Sequence, residues 1–327
     1  MNGRSILVTG GAGYVGSHLV LALIEAGASP VVLDDLSTGS RAQVPGRVPL
    51  IVGDIGDEAL VTEVLANHQA KTIIHLAGSV SVPESVKDPL NYYLNNTVKS
   101  MALLSAFIHG GGETFLFASS AAVYGAIDLP SISEGAPTLP ENPYGASKLM
   151  FEQMLMEVAS STGVSYAVLR YFNVAGADLA GRAGPVSENA EHLVRVACQS
   201  VLGRRRQLEI FGDDYATFDG TCVRDFIHVT DVAQAHIDVL RYLAGGGESL
   251  ILNCGSGNGR SVMDIVAAVE EAADESLSSH IGDRRAGDVA NVVADNQKIK
   301  ELTGWEPRNS ELNDIVRSAL AWERDHT

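Results

Sequence analysis

A short apolar run, Ser5-Ile-Leu-Val-Thr9, breaks at Gly10-Gly-Ala-Gly13-Tyr14-Val15-Gly16 and resumes as a helix-like stretch to Gly27. Few features restrict a fold more. Gly11, Gly13 and Gly16 satisfy G-x-G-x-x-G. Glycines at these places allow a tight turn, let backbone approach a pyrophosphate, and let the helix pack closely on the strand. The phosphates then sit on the N–H groups at the helix start. An ordinary glycine-rich turn has the same letters, but it needs no strand before it and no helix after it. Residues 5–24 also imitate a signal peptide, yet Gly10, Gly11, Gly13 and Gly16 interrupt the run, and strand-turn-helix explains it better.

The chain beyond this loop supplies a sheet to carry it. Strands are predicted at Pro30–Asp34, Leu50–Val52, Thr72–Leu76, Thr114–Ser119 and Ser165–Tyr171. Helices are predicted at Tyr14–Gly27, Glu58–His68, Asn91–His109 and Tyr144–Thr162. Such alternation predicts an α/β fold: a Rossmann-type, doubly wound parallel sheet covered on both faces. Ligands bind such sheets at the carboxyl ends of the strands. Gly10–Gly16, Asp34, Asp54, Ala77, Ser119–Ser120 and Asn173 all fall there. Past residue 175 the pattern loosens. Ala177–Ala190 reads as loop, Asn189–Leu202 as helix and Leu208–Phe211 as strand. Residues 1–175 are therefore expected to form the dinucleotide-binding domain. The strand Phe226–Val229 and helix Asp231–Leu243 return to it, within 225–245. Residues 176–327 mainly build a smaller substrate-binding lobe.

Asp34 ends the second strand, where a carboxylate accepts from the adenosine ribose hydroxyls and repels a 2′-phosphate. NAD is thus expected rather than NADP. Asp35 is its neighbour, and either residue can instead be a solvent-facing loop position.

Tyr144-Gly-Ala-Ser-Lys148 carries the chemistry. Four residues apart on a helix, the phenol and the ammonium share one face. A tyrosine titrates near pH 10, so only about 0.1% is phenolate at neutral pH. A cation and a positively charged nicotinamide ring both favour the anion. Lowering the pKa by about three units represents roughly 4 kcal/mol of differential interaction. The outcome is a general base near pH 7 beside a bound oxidant.

Composition narrows the partners. Forty acidic against 23 basic residues give a formal charge of −17, which argues against nucleic acid and anionic membranes. An acidic protein that binds anionic nucleotides needs local positive potential, which helix-start N–H groups and a few arginines supply. Cys198, Cys222 and Cys254 have no metal-ligand spacing and read as buried reduced thiols, so no metal is expected. No stretch has the length and apolarity of a membrane span. A cytoplasmic location is expected.

These residues bring a resemblance. Thr9–His18, His75–Gly78, Pro83-Glu84-Ser85-Val86, Tyr92–Asn96, Ser119–Gly125, Tyr144–Lys148, Arg170-Tyr171-Phe172-Asn173, Phe211–Asp219, Val223–Val229 and Arg284–Asp288 match, in order, the extended short-chain dehydrogenase/reductase family. Within it the chain resembles the UDP-glucose 4-epimerases (UDP-galactose 4-epimerases). That resemblance implies reversible 4-epimerisation of a UDP-sugar through a 4-keto intermediate, with NAD bound throughout. It implies a cofactor site of Gly10, Gly13, Tyr14, Val15, Gly16, Asp34, Asp35, Asp54, Ile55, Leu76, Ala77, Gly78, Asn96 and Tyr171. Asp54 would accept from the adenine amine; a helix N-cap is its bland alternative. Val80 stands where the family often has Lys, so one cofactor contact differs.

By the same resemblance Ser120, Tyr144 and Lys148 form the catalytic set. Ser120 would bond the sugar 4-oxygen, Tyr144 would take the hydroxyl proton, and Lys148 would hold the nicotinamide ribose and depress the Tyr144 pKa. Tyr124 reads as packing. Asn173, His192, Leu193, Phe211, Arg224, Arg285 and Asp288 would hold the nucleotide of the substrate. Arg224 and Arg285 would take the diphosphate, Asp288 the uridine ribose, and Phe211 the uracil. An ion pair of Arg224 with Asp225 or Asp231 is the structural alternative, and Arg284 is equally well a surface residue. The resemblance also implies a homodimer through the two long helices.

Rival readings are weaker. A 4,6-dehydratase carries Asp-Glu after its Ser/Thr, whereas Ser120 precedes Ala121-Ala122, which transfer no protons. A non-catalytic nucleotide sensor has no need to keep Ser120, Tyr144 and Lys148 together. A 4-epimerase of UDP-N-acetylglucosamine or another UDP-sugar is the closest alternative. Val292 matches a position where a bulky Tyr closes the sugar pocket in the family, and a small residue leaves room.

Overall fold

The computed structural model describes residues 3–127, 129–187, 192–205, 207–285 and 288–326. The first half of the chain runs β1 (Ser5–Thr9), α1 (Tyr14–Glu25), β2 (Ser29–Asp34), β3 (Leu50–Val52), α2 (Glu58–His68), β4 (Thr72–His75), α3 (Val82–Lys87), α4 (Pro89–Tyr93), α5 (Lys99–His109), β5 (Thr114–Ser120), α6 (Pro143–Thr162) and β6 (Ser165–Tyr171). It continues through β7 (Asn173–Ala175), α7 (Leu193–Val201), β8 (Leu208–Phe211), β9 (Val223–His228), α8 (Val229–Ala244), β10 (Leu250–Cys254), β11 (Gly259–Ser261), α9 (Val262–Ala273), β12 (Ser279–Gly282), β13 (Asn291–Val292), α10 (Gln297–Thr303) and α11 (Leu312–Asp325).

Seven strands pair in the order β10-β6-β5-β4-β1-β2-β3. Every pairing is parallel. Both faces are apolar, as the near-continuous Val/Ile/Leu/Phe runs require. On one face α1 and α8 bury Leu19, Leu23, Val232 and Leu240 against Val8, Ile74 and Leu116. On the other α2, α5 and α6 bury Val64, Leu103, Phe107 and Phe151 against Leu7, Ile73 and Phe115. The seventh strand, β10, comes from a span that the sequence pattern assigns to the second lobe. The remaining strands form two small sheets, β11-β9-β13 with β7 on β9, and β12-β8. Helices α7, α9 and α11 pack there around Cys198, Val269 and Val316. Of the helix expected over Asn189–Leu202, residues 189–191 lie outside the described residues. So do residues 286–287, between Arg285 and Asp288.

Local chemistry fixes the two helices that carry the site. Helix α6 starts at Pro143, with the Asn142 side chain accepting from the Gly145 N–H at 2.9 Å. It stops at Gly163 in the left-handed conformation, φ +78°. The long helix expected over Asn91–His109 is α4 and α5 joined by a π-helical turn, Leu94–Val98. Such turns are rare and concentrate at functional sites. This one holds Asn96, which is buried.

Phe151 on α6 stands under the site, 4.7 Å from Phe117 and 5.6 Å from His75, ring centre to ring centre. It is fully buried. Phe151→Ala should therefore cost about 3–5 kcal/mol of stability. Denaturant unfolding checks this; a loss under about 1 kcal/mol would mean that α6 is held by something other than this cluster.

Candidate active site

The dinucleotide loop is shaped by contacts that no side chain can occupy. Gly10 has φ +71°, and a Cβ there would stand 2.6 Å from the Ala77 nitrogen. A Cβ on Gly16 would stand 2.0 Å from the Gly10 carbonyl oxygen. Gly13 occupies the N-cap of α1, with no side chain to occupy the helix start. Asp34 secures the loop from β2. Its carboxylate accepts from the Ala12 N–H and the Leu36 N–H, each at 2.9 Å. Burial pushes this carboxyl above its usual range, and those two bonds work the other way. A carboxylate offers about four acceptor positions, so Asp34 keeps capacity for ribose hydroxyls. Leu36 sits at φ +60°, a left-handed conformation costly for such a residue and found at ligand sites. Asp35 is exposed and bonds Ser37. Val15 packs on the core, and the Tyr14 hydroxyl donates to the Gly176 carbonyl at 2.6 Å. Only the backbone of these two therefore remains at the loop.

Asp54 follows β3 and forms an ion pair with Lys99 of α5 at 2.6 Å. Burial opposes its ionisation, but the bonds from Lys99 and the Gly56 N–H hold the carboxyl below its usual range. The helix N-cap alternative is incorrect: Asp57 caps α2, accepting from the Leu60 N–H. Ile55 is buried in the core. After β4, the Leu76 N–H donates to the Thr9 carbonyl and Ala77 meets Gly10. Gly78, at φ +157°, lies against Asn96 and Lys148; a Cβ there would be 2.9 Å from the Asn96 Oδ1 and 3.6 Å from the Lys148 Nζ. Asn96 accepts from the Ser79 N–H at 2.8 Å and donates to the Ser79 carbonyl and the Ser147 Oγ. The cofactor loops are thereby closed onto α6.

Ser120 ends β5, and its Oγ accepts from the Ala122 N–H at 3.1 Å. The turn that follows lies so close to α6 that a Cβ on Gly145 would be 2.4 Å from the Ala122 carbonyl. That approach sets Tyr144 beside Ser120. The Tyr144 ring meets Tyr92 edge-on at 6.5 Å. Burial pushes its phenol up, and the hydrogen bond with Ser120 works the other way. Lys148 donates to the Ala118 carbonyl at 3.0 Å and stands 4.9 Å over the Phe117 ring. Burial brings its pKa down to about 8, with Glu152 opposing. The expected depression of Tyr144 by Lys148 is thus not found in this arrangement, because the ammonium is turned to a strand carbonyl. Tyr124 is fully buried and donates to Asn253 at 2.6 Å. Tyr171 lies opposite Ser120 in the sheet register, and its hydroxyl bonds the His236 Nε2 at 2.7 Å.

In the second lobe Asn173 opens β7, His192 and Leu193 start α7, and Phe211 ends β8. His192 lines a shallow cavity with Tyr14, Gly176 and Arg195. The Arg285 guanidinium stacks 4.0 Å over the Phe211 ring. Arg224 donates to the Val223 and Val289 carbonyls and meets the Asp288 carboxylate at 3.3 Å. The alternative pairings fail: Asp225 is committed to Ser256, Gly257 and Ala294, and Asp231 to Asn309 and Ser310. Arg284 is exposed, paired with Asp214 and stacked on Tyr215. Val292 sits beside Arg224 in the β13–β9 register and packs toward Tyr124 and Phe172.

Sequence reasoning missed Lys99 and Glu152 and gave no role to Ser119 or Arg170, although all four are tied to residues that it assigned to the site. The spacing of Glu152, one helical turn past Lys148, was the available signal.

Residues 6–255 match the NAD dependent epimerase/dehydratase family. The chain belongs to it. The UDP-glucose 4-epimerase of Azospirillum brasilense is 52% identical over 319 residues, covering 98% of this chain and 92% of that one. The crystal structure of UDP-glucose 4-epimerase from Brucella ovis in complex with NAD is 40% identical, covers 97% and 98% of the two chains, and superposes with a TM-score of 0.95. The UDP-Glc/GlcNAc 4-epimerase from Campylobacter jejuni is 39% identical, with a TM-score of 0.87 over 99% and 100% of the chains. The fold and the family resemblance are as the sequence implies. This family member is NAD dependent, and the glycine cradle with Asp34 fits that cofactor.

Asp34→Ala removes both loop anchors and the carboxylate expected to accept from the ribose. NAD retention through gel filtration should drop at least about tenfold, with discrimination against NADP relaxed. Unchanged retention would remove Asp34 from the site.

Proposed function

We propose that the chain interconverts UDP-galactose and UDP-glucose at C4, with hydride carried by bound NAD. The carrying observation is that Ser120, at the end of β5, bonds Tyr144 of α6, while Lys148, one turn along the same helix, reaches Ala118 of that strand and stands against Gly78 after β4. When bound, NAD would supply the acceptor for the C4 hydride and its donor on return. Tyr144 takes the 4-hydroxyl proton as that hydride leaves. Ser120 bonds both the Tyr144 hydroxyl and the 4-oxygen. Lys148 holds the nicotinamide ribose, and its charge favours the phenolate once it is engaged there. The 4-keto sugar turns within the pocket, and Tyr144 returns the proton with the opposite face presented. No net oxidation results.

Arg224 and Arg285 receive the diphosphate, and Asp288 and Phe211 hold the uridine. Asp288 already meets Arg224, and Phe211 meets Arg285, so the nucleotide enters a preformed set. Asn173, His192 and Leu193 complete the nucleotide side. This holds the nucleotide firmly and leaves the sugar free to turn. The Ala121–Val123 turn beside Ser120 offers no acid or base for a dehydratase. UDP-N-acetylglucosamine is the second reading, favoured by the small side chain at Val292.

Leu90, Leu94, Val98 and Met101 form one exposed apolar face along α4 and α5. Met150 of α6 is also exposed. We assign this face to a homodimer. Among the described residues no helix is long and apolar enough to cross a membrane. The three cysteines are free and buried, and we assign the protein to the cytoplasm.

Incubated with UDP-galactose and no added NAD, the purified protein should yield UDP-glucose, followed by NMR. Tyr144→Phe should keep NAD bound and lose about a hundredfold or more in turnover. Turnover at the parent rate would remove Tyr144 as the base. A faster reaction with UDP-N-acetylgalactosamine would instead favour the second reading.

A further inference from the structure

We propose that Glu152 is a positioning residue for this reaction: its buried carboxylate fixes the strand end bearing Ser120 against the helix bearing Tyr144 and Lys148, and supplies the counter-charge of Lys148. The inference rests on the roles given to those three residues above.

Glu152 lies one helical turn past Lys148 and two past Tyr144, on the same side of α6. It is 1% exposed. Its Oε1 accepts from the Ser119 hydroxyl and from the Arg170 Nε at 3.1 Å, and its Oε2 accepts from the Arg170 Nη2 at 2.6 Å. Ser119 and Arg170 are partners in the β5–β6 register, so one carboxylate clasps both strands. The three last residues of β5 are therefore each held from α6. Lys148 holds Ala118, Glu152 holds Ser119, and Tyr144 meets Ser120. A slip of Glu152 moves Ser119, and with it the hydroxyl that pairs with Tyr144.

Stability alone does not account for this arrangement. A buried ion pair roughly breaks even against apolar side chains of the same size. Here it is placed next to a buried lysine. The charge of Lys148 bears on His75 of β4 and is met by Glu152 of its own helix, while Tyr144 of α6 bonds Ser120 and Arg170 of β6 bonds Glu152. Burial keeps His75 neutral and, until the cofactor is bound, favours the protonated Tyr144 phenol. Arg170 is a cation. Of the four, Glu152 is the anion, and it acts to keep the proton on Lys148. Without it Lys148 keeps the cost of burial and loses the charge that opposes it, and gives up its proton at lower pH.

The test compares kcat against pH for the NAD-loaded parent, Glu152→Gln and Glu152→Asp with UDP-galactose. In Glu152→Gln the alkaline limb should move to lower pH by about one unit, with KM little changed. Glu152→Asp restores the charge and should return the limb to the parent position. A purely structural role would lower the melting temperature and leave the limb in place, which would overturn the proposal. If Glu152→Gln does not fold, Glu152→Gln with Arg170→Met removes the guanidinium left without its carboxylate and serves the same comparison. NMR of carbon-labelled lysine, with Lys148 assigned by Lys148→Met, reads the amine titration without turnover. A Lys148 midpoint that stays put when Glu152 is neutralised would overturn the proposal, whatever the sugar. A parent protein that does not convert UDP-galactose would instead overturn the function proposed above, and the amine titration would still decide the role of Glu152.

Discussion

The site depends on how closely the backbone after β1 approaches the backbone after β4. Gly10 and Ala77 are so near that a single Cβ would separate them, and Gly16 packs on Gly10 with the same intolerance. This contact sets the start of α1 over the strand ends, where its N–H groups would receive an anionic ligand. Asp34 then fixes the loop from β2, and Gly78 carries the β4 end to Asn96 and Lys148. The cofactor cradle and the reacting side chains are one continuous backbone surface, because glycine allows the close contacts at each joint.

Charge is handled by placement rather than by amount. The chain carries a net −17, yet its ligands are anions. In the function proposed here, backbone N–H groups supply potential at the glycine loop, and Arg224 and Arg285 supply it in the second lobe. Arg224 is held by two carbonyls and Asp288, and Arg285 by the face of Phe211. Lys148 is a buried cation, its pKa brought down by burial to about 8, and Glu152, which also grips the neighbouring strand, opposes that shift. The reacting pair thus sits where small changes in charge have large effects on protonation.

Much of this was legible in the sequence, because parallel strands are near-continuous apolar runs and glycine loops leave spacing signatures. The six strands from Ser5 to Tyr171 all appear in the main sheet. Other features depend on long-range packing and leave no local mark. Strand β10 is a five-residue run after a glycine stretch, and only its partner β6 makes it part of the sheet. The π turn that turns Asn96 inward has no periodic signal. Lys99 lies far from Asp54 in sequence, so their ion pair was not readable. Arg224 has acids nearby in sequence, at Asp225 and Asp231, yet pairs with Asp288, because β13 runs beside β9. The orientation of Lys148 toward Ala118 follows from burial of its amine, which helical spacing does not reveal.

The central claim is that hydride leaves and returns at C4 on a cofactor that never departs. UDP-galactose carrying deuterium at C4 tests it most directly, with the protein as purified and the product followed by NMR and mass spectrometry. Full retention of deuterium at C4 of the UDP-glucose formed is the predicted result. Loss of the label to solvent or to added NAD would contradict the account.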